Sequence, residues 1–176
     1  YLSSLGESSL QYQLDIARYV REHPAIKLAF KPGTFQMKLG REVLKEVYAA
    51  TEIFFCNKDE ASRILGHDGD IQALLEGIRA LGPKIAVITD GPKGAHASDG
   101  SIHLVVPMYP DPSPPLDRTG AGDAFSSTVV SALALGESLE TALSWGPVNS
   151  MSVVQEIGAQ KGLLTREQLE SYLANA

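Results

Sequence analysis

Asp117-Arg118-Thr119-Gly120-Ala121-Gly122-Asp123-Ala124-Phe125 places a carboxylate just inside a glycine-rich turn that opens an apolar helix. The helix runs on through Ser126 to Leu135 without proline or glycine until Gly136. The turn therefore sits at a helix N-terminus, where backbone N–H groups lack partners and the helix dipole favours negative charge. Gly120 and Gly122 permit close approach of an anion to the backbone, with Ala121 between them, and Asp123 supplies a fixed proton acceptor beside it. The plainer alternative is a glycine turn followed by an acidic first helical turn.

Two other clusters precede it. Asn57-Lys58-Asp59-Glu60 follows the apolar run Ile53-Phe54-Phe55-Cys56. An amide and a carboxylate three residues apart suit either Mg²⁺ held partly through water or a helix cap with an acidic first turn. Thr89-Asp90-Gly91-Pro92-Lys93-Gly94 follows the β-branched run Ile85-Ala86-Val87-Ile88 and reads either as a loop offering N–H groups and a hydroxyl to phosphate, or as a glycine hairpin turn. There is no Gly-x-x-x-x-Gly-Lys-Ser/Thr loop, so any phosphoryl transfer here is not of the P-loop type.

Taken in order, the three segments resemble the motifs of the ribokinase-like, or PfkB, family of carbohydrate and nucleoside kinases. Asp117 to Phe125 is similar to its Asp-Thr-Thr/Asn-Gly-Ala-Gly-Asp-Ala-Phe signature, with Arg118 in place of a small hydroxyl residue. Asn57 and Glu60 resemble its Asn-x-x-Glu pair, and Thr89, Gly91 and Gly94 its Thr-x-Gly-x-x-Gly nucleotide loop. The resemblance implies an ATP-dependent phosphotransferase acting on a sugar hydroxyl, with a nucleoside as the alternative acceptor. It casts Asp123 as the base, Gly120, Ala121 and Gly122 as the anion hole, and Glu60 with Asn57 as the residues ordering Mg²⁺. It links Asp117 to a monovalent cation such as K⁺, although an Asx-turn accounts for the same residue. Asn149, Gly158 and Ala159 fall where relatives border the nucleotide. Lys31, in Phe30-Lys31-Pro32-Gly33-Thr34, stands where the family more usually has Asp or Asn.

The resemblance begins deep inside the usual kinase, so the chain reads as its C-terminal portion, without the N-terminal part and strand lid that supply most sugar contacts. Taken alone it is expected to bind nucleotide without turning over. An unpartnered sheet edge and the apolar face of the first helix then favour self-association, as a homodimer for instance.

Composition fits this reading. The 176 residues are 44% hydrophobic and 20% charged, the balance of a folded globular domain. A formal net charge of −6 with no Lys/Arg run argues against nucleic acid as a partner. An acidic protein that handles ATP must concentrate positive potential locally or borrow it from metal ions. Cys56 is the single cysteine and reads as a packed thiol, which fits a reducing, cytoplasmic setting. No apolar run is long enough to cross a membrane. His23, His67, His96 and His103 share no metal-ligand spacing and read as surface or strand residues.

The elements that must position these groups alternate. Helices are expected over Ser8–Glu22, Arg41–Ala50, Glu60–Leu65 and Ile71–Leu81, and strands over Ile26–Phe30, Ile53–Cys56 and Ile85–Ile88. Ala95–Ser98 and Ile102–Val106 suggest a short antiparallel pair around Asp99-Gly100. Pro107–Pro115 reads as an ordered connection. Leu139–Glu156 reads as a largely buried helix in which Trp145 and Met151 are core more readily than base-stacking, and Thr165-Arg166-Glu167-Gln168 has capping-box spacing before a last helix. The rhythm predicts a single α/β domain over residues 1–176, ribokinase-like and layered, with a mostly parallel sheet.

Overall fold

The computed structural model describes residues 1–175. The chain groups into two compact units, Tyr1–Gly91 with His96–Val105, and Pro92–Ala95 with the residues from Val106 on.

In the first unit a 3-10 turn, Glu7–Ser9, leads into α1 (Leu10–Glu22), followed by β1 (Leu28–Phe30), α2 (Thr34–Leu39), α3 (Lys45–Ala50), β2 (Thr51–Asn57), α4 (Lys58–Leu65), α5 (Ile71–Ala80) and β3 (Ile85–Thr89). β4 (Ala95–Ser98) and β5 (His103–Val106) complete a five-stranded sheet ordered β1-β2-β3-β4-β5. β1 pairs with β2 and β2 with β3 in parallel, the second pair in unbroken register from Ile53 opposite Ile85 to Asn57 opposite Thr89. Parallel strands carry apolar residues on both faces because helices cover both, and Ile53 to Cys56 are accordingly buried throughout. The rings of Phe30, Tyr48 and Phe54 meet with centroids 5.5–5.8 Å apart at the centre of this core. Cys56 is buried among them, and burial pushes its thiol well above the ordinary value, so it is a packing group.

Several boundaries differ from the sequence expectation by one to four residues, and the differences before β2 have a visible cause. The helix expected from Arg41 begins only at Lys45, and a helix that the sequence reading omits, α2, precedes it. α2 starts where Gln36, fully buried, accepts from the Gly33 N–H at 3.1 Å and donates to the Ser3 carbonyl at 3.1 Å. That anchor lies more than thirty residues away in sequence, beyond any local pattern. The strand expected from Ile26 is shorter, because Ile26 is exposed and the ladder starts at Leu28.

The second unit is built on α6 (Ala121–Ala134), α7 (Leu139–Val154) and α8 (Arg166–Ala174). α6 packs along α7, where Gly146 leaves room for the Phe125 ring; a Cβ there would lie 2.7 Å from it. Trp145 and Met151 are both buried in this unit, as core residues. α7 runs through Pro147, which removes one intrahelical donor without ending the helix. Ser138 caps α7 by accepting from Thr141 N–H at 3.1 Å, and Thr165 with Gln168 forms the expected capping box on α8. Among the described residues no helix is long and apolar enough to cross a membrane.

Candidate active site

In the first unit the candidate residues gather at the carboxyl ends of β2 and β3, where open α/β sheets bind ligands. Asn57 ends β2 and also caps α4, so strand passes into helix without a loop. Its Oδ1 accepts from Glu60 N–H at 2.8 Å, and Glu60 Oε2 accepts from Asn57 N–H at 2.8 Å. This reciprocal cap is the plainer of the two sequence readings, and it fixes the carboxylate at the strand end while one of its oxygens makes the cap. Thr89 is the register partner of Asn57 on β3. Next to them Lys58 pairs with Asp90 at 3.6 Å, a charge pair that sequence reasoning did not single out. Gly91 opens the following 3-10 turn in the left-handed region (φ 52°).

In the second unit the glycine turn has the expected form. Gly120 is the N-cap of α6 with φ 83°, and no side chain caps the helix. Ala121 N–H makes only a 3.3 Å bond to the Arg118 carbonyl, and Ala124 N–H makes the first helical bond, to Gly120, at 2.8 Å. Gly122 N–H lies in the first turn, where no intrahelical carbonyl is in reach. Gly122 and Asp123 are exposed. The turn thus brings the backbone N–H groups of a helix start and the Asp123 carboxylate close together.

A single carboxylate holds that turn. Asp117 Oδ1 accepts from Thr119 N–H at 2.8 Å, the Asx-turn of the sequence reading, and Asp117 Oδ2 accepts from Gly158 N–H at 3.0 Å. The Thr119 hydroxyl, the Thr119 N–H and the Gly158 N–H together hold the Asp117 carboxyl below its ordinary value. Thr119 belongs to this clamp, and Asp-x-Thr at the mouth of the turn was the signal that would have found it. Gly120 packs against the same loop; a Cβ on it would lie 2.5 Å from Ala159 Cβ.

Asn149 is buried between α6 and the loop before α8. It donates to Thr128 Oγ1 at 2.7 Å and accepts from Leu164 N–H at 3.0 Å, which makes it a brace within this unit. Gly94 passes so close to the Val106 carbonyl that a Cβ would lie 2.1 Å from its oxygen. Close backbone approach is therefore sufficient reason for glycine at position 94.

Two measurements follow from the clamp. Gly120→Ala should cost about 1–3 kcal/mol, from left-handed backbone and from the displaced Ala159 loop, and a urea melt reads it directly. Because the Asp117 pKa is depressed on folding, the clamp's contribution is present above the ordinary aspartate value of about 3.9 and is lost as pH falls through the lower folded value. The amide resonances of Thr119 and Gly158 should hold steady down to about pH 4 and then move together, with one midpoint below it.

Comparison with known proteins places the chain. Residues 22–166 match the pfkB family carbohydrate kinase profile. Over 95 residues the chain is 38% identical to ribokinase from Bacillus subtilis, covering 54% of this chain and 32% of that protein. Over 118 residues it is 31% identical to cytidine kinase from Thermococcus kodakarensis, covering 67% of this chain and 42% of that protein. Its fold superimposes on Methanocaldococcus jannaschii nucleoside kinase with a TM-score of 0.82 at 24% identity, over 98% of this chain and 55% of that one. Arabidopsis thaliana ribokinase, solved with ribose and ATP, gives 0.81 at 20% identity over 93% and 52%. The chain thus spans less than half the length of these two sequence relatives and just over half of the two solved chains. A ribokinase-like α/β fold and a family match over most of its length establish that the chain belongs to the pfkB family of carbohydrate kinases.

Proposed function

We infer that the protein transfers the γ-phosphate of ATP to a hydroxyl of a sugar. The observation that carries this is the uncapped glycine start of α6 with Asp123 exposed in its first turn. A loose phosphoryl-transfer transition state asks chiefly for positioning and for neutralisation of charge on the transferred group. The backbone N–H groups of Gly120, Ala121 and Gly122 provide that neutralisation as an anion hole. The acceptor oxygen bonds to the γ-phosphorus, the bond from phosphorus to the β,γ-bridging oxygen breaks, ADP leaves, and the acceptor proton passes to Asp123.

Asn57 and Glu60 fit Mg²⁺ held through water, because the cap engages one Glu60 oxygen and leaves the other for a hydrated ion. Mg²⁺ bound there supplies charge neutralisation to the ATP phosphates. Thr89, Gly91 and Gly94 contact the nucleotide, and Gly158 forms its border with Asn149 bracing the loop behind it. K⁺ beside Asp117 is compatible with the remaining lone pairs of a carboxylate that already accepts two N–H groups. Among relatives the acceptor class divides: the Bacillus subtilis protein is a ribokinase and the Thermococcus kodakarensis protein a cytidine kinase. A nucleoside is therefore the alternative acceptor.

Asp123→Asn preserves shape and removes the acceptor charge. Turnover should fall by about 10²–10⁴-fold while ATP affinity, measured by calorimetry, stays within a few-fold. Near-normal turnover in that variant would remove Asp123 from the role of base.

The chain's share of its relatives' length favours a second reading for the 176 residues taken alone, namely nucleotide binding without turnover. Calorimetry should then show Mg·ATP binding while a coupled ADP assay over sugars and nucleosides stays flat. Acceptor-dependent ADP release would overturn it.

A further inference from the structure

Four histidines are scattered through the sequence, and the first unit brings two of them into contact. β4 and β5 are neighbours in the sheet, joined through a turn in which Asp99 Oδ1 accepts from Ser101 N–H at 2.8 Å and Ile102 N–H at 2.9 Å. Along β4, Ala95 and Ala97 are buried, so His96 between them faces the opposite side of the sheet, where it meets exposed His103 of β5. His96 Nδ1 lies 3.3 Å from His103 Nε2, and the ring centroids are 5.5 Å apart with the planes 33° from parallel.

Two imidazole nitrogens facing each other at this distance have two chemical explanations. One is a single N–H···N bond between neutral rings. The other is a shared metal ion: with Zn–N bonds near 2.0–2.1 Å and tetrahedral angles, ligand nitrogens stand about 3.3 Å apart. The observed separation matches the second spacing as well as the first, and a shared ion would stand off the line joining the two nitrogens.

The surroundings keep His96 in the form that a metal needs. Partial burial and the neighbouring His103 lower its pKa, so it is held neutral where an isolated histidine begins to charge. The other charged groups acting on it are Asp90, which raises the pKa, and Lys58, which lowers it, and these two are paired with each other at 3.6 Å. Among the described residues no cluster of three or more histidine, cysteine or carboxylate groups is placed to hold a metal. A metal ion at this pair would therefore take two protein ligands, with water in its remaining positions.

We propose that His96 and His103 form a two-histidine site for an imidazole-preferring divalent cation of the Zn²⁺, Ni²⁺ or Cu²⁺ class, bridging β4 and β5. Imidazole ligands select these ions, whereas Mg²⁺ demands oxygen donors. The site is thus independent of Mg²⁺ at the phosphates, and it stabilises the hairpin by mass action when occupied.

The test uses the untagged 176-residue chain and Zn²⁺, with calorimetry and thermal melting as readouts. One Zn²⁺ should bind per chain in the micromolar range, raise the melting temperature, and remain bound in a large excess of Mg²⁺. His103→Ala, at an exposed position, and His96→Gln should each weaken binding by about tenfold or more, while His67→Ala leaves it unchanged. Cu²⁺ electron paramagnetic resonance should show two equatorial nitrogens in the parent chain and fewer in either variant. Equal Zn²⁺ affinity in the parent and in folded His103→Ala, or displacement by Mg²⁺, would overturn the proposal. Absence of Zn²⁺ binding at millimolar concentration would leave the N–H···N bond as the account of the pair.

Discussion

Two backbone N–H groups that are distant in sequence, Thr119 before α6 and Gly158 after α7, converge on the carboxylate of Asp117. The glycine turn has no side-chain cap of its own, so its shape depends on what lies behind it. Asp117 fixes the approach to the turn, Ala159 fills the space where Gly120 lacks a Cβ, and Asn149 ties α6 to the chain leading into α8. The backbone donors at the mouth of α6 are therefore held in place by contacts from both sides of the turn. Asp117 keeps its negative charge in this role, since two N–H groups and a hydroxyl stabilise its ionised form.

The first unit prepares its groups by a different device. Strand β2 runs directly into α4, and the residue at the junction belongs to both. Asn57 and Glu60 satisfy each other's backbone N–H groups, so the helix start is complete without a ligand. Structural and functional readings of this motif are then not exclusive. The cap that stabilises α4 also removes rotamer freedom from Glu60, and a carboxylate already oriented loses less entropy on meeting a hydrated cation.

Much of this was legible in the sequence because it is local. The buried run Ile53 to Cys56, the periodicity of α5, the capping box at Thr165 and Gln168, and the glycine start of α6 each depend on residues a few positions apart. What was not legible depends on contacts between distant segments. α2 escaped notice because its N-terminus is anchored by Gln36 to Ser3. The dual role of Asp117 was half visible: Asp-x-Thr signals the Asx-turn, but nothing near residue 117 indicates that Gly158 will supply the second donor. The His96–His103 pair was invisible for the same reason, since a separation of seven residues acquires meaning only once a hairpin turn is placed between them.

The strand order has a consequence for how the chain assembles. Because β1 to β5 lie in the sheet in the same order as in the sequence, each strand adds beside the strand that preceded it, and no later segment has to be inserted between two already paired. The isolated bridge of Leu2 to Phe30 extends the same order at the first edge. Each pairing closes a loop of modest length, whose entropic penalty rises only slowly with size. Sequential addition at one growing edge keeps contacts local for a parallel sheet, a class whose non-local pairings otherwise slow folding. The topology thus allows β1 and β2 to pair while the segment carrying the glycine turn is still unfolded.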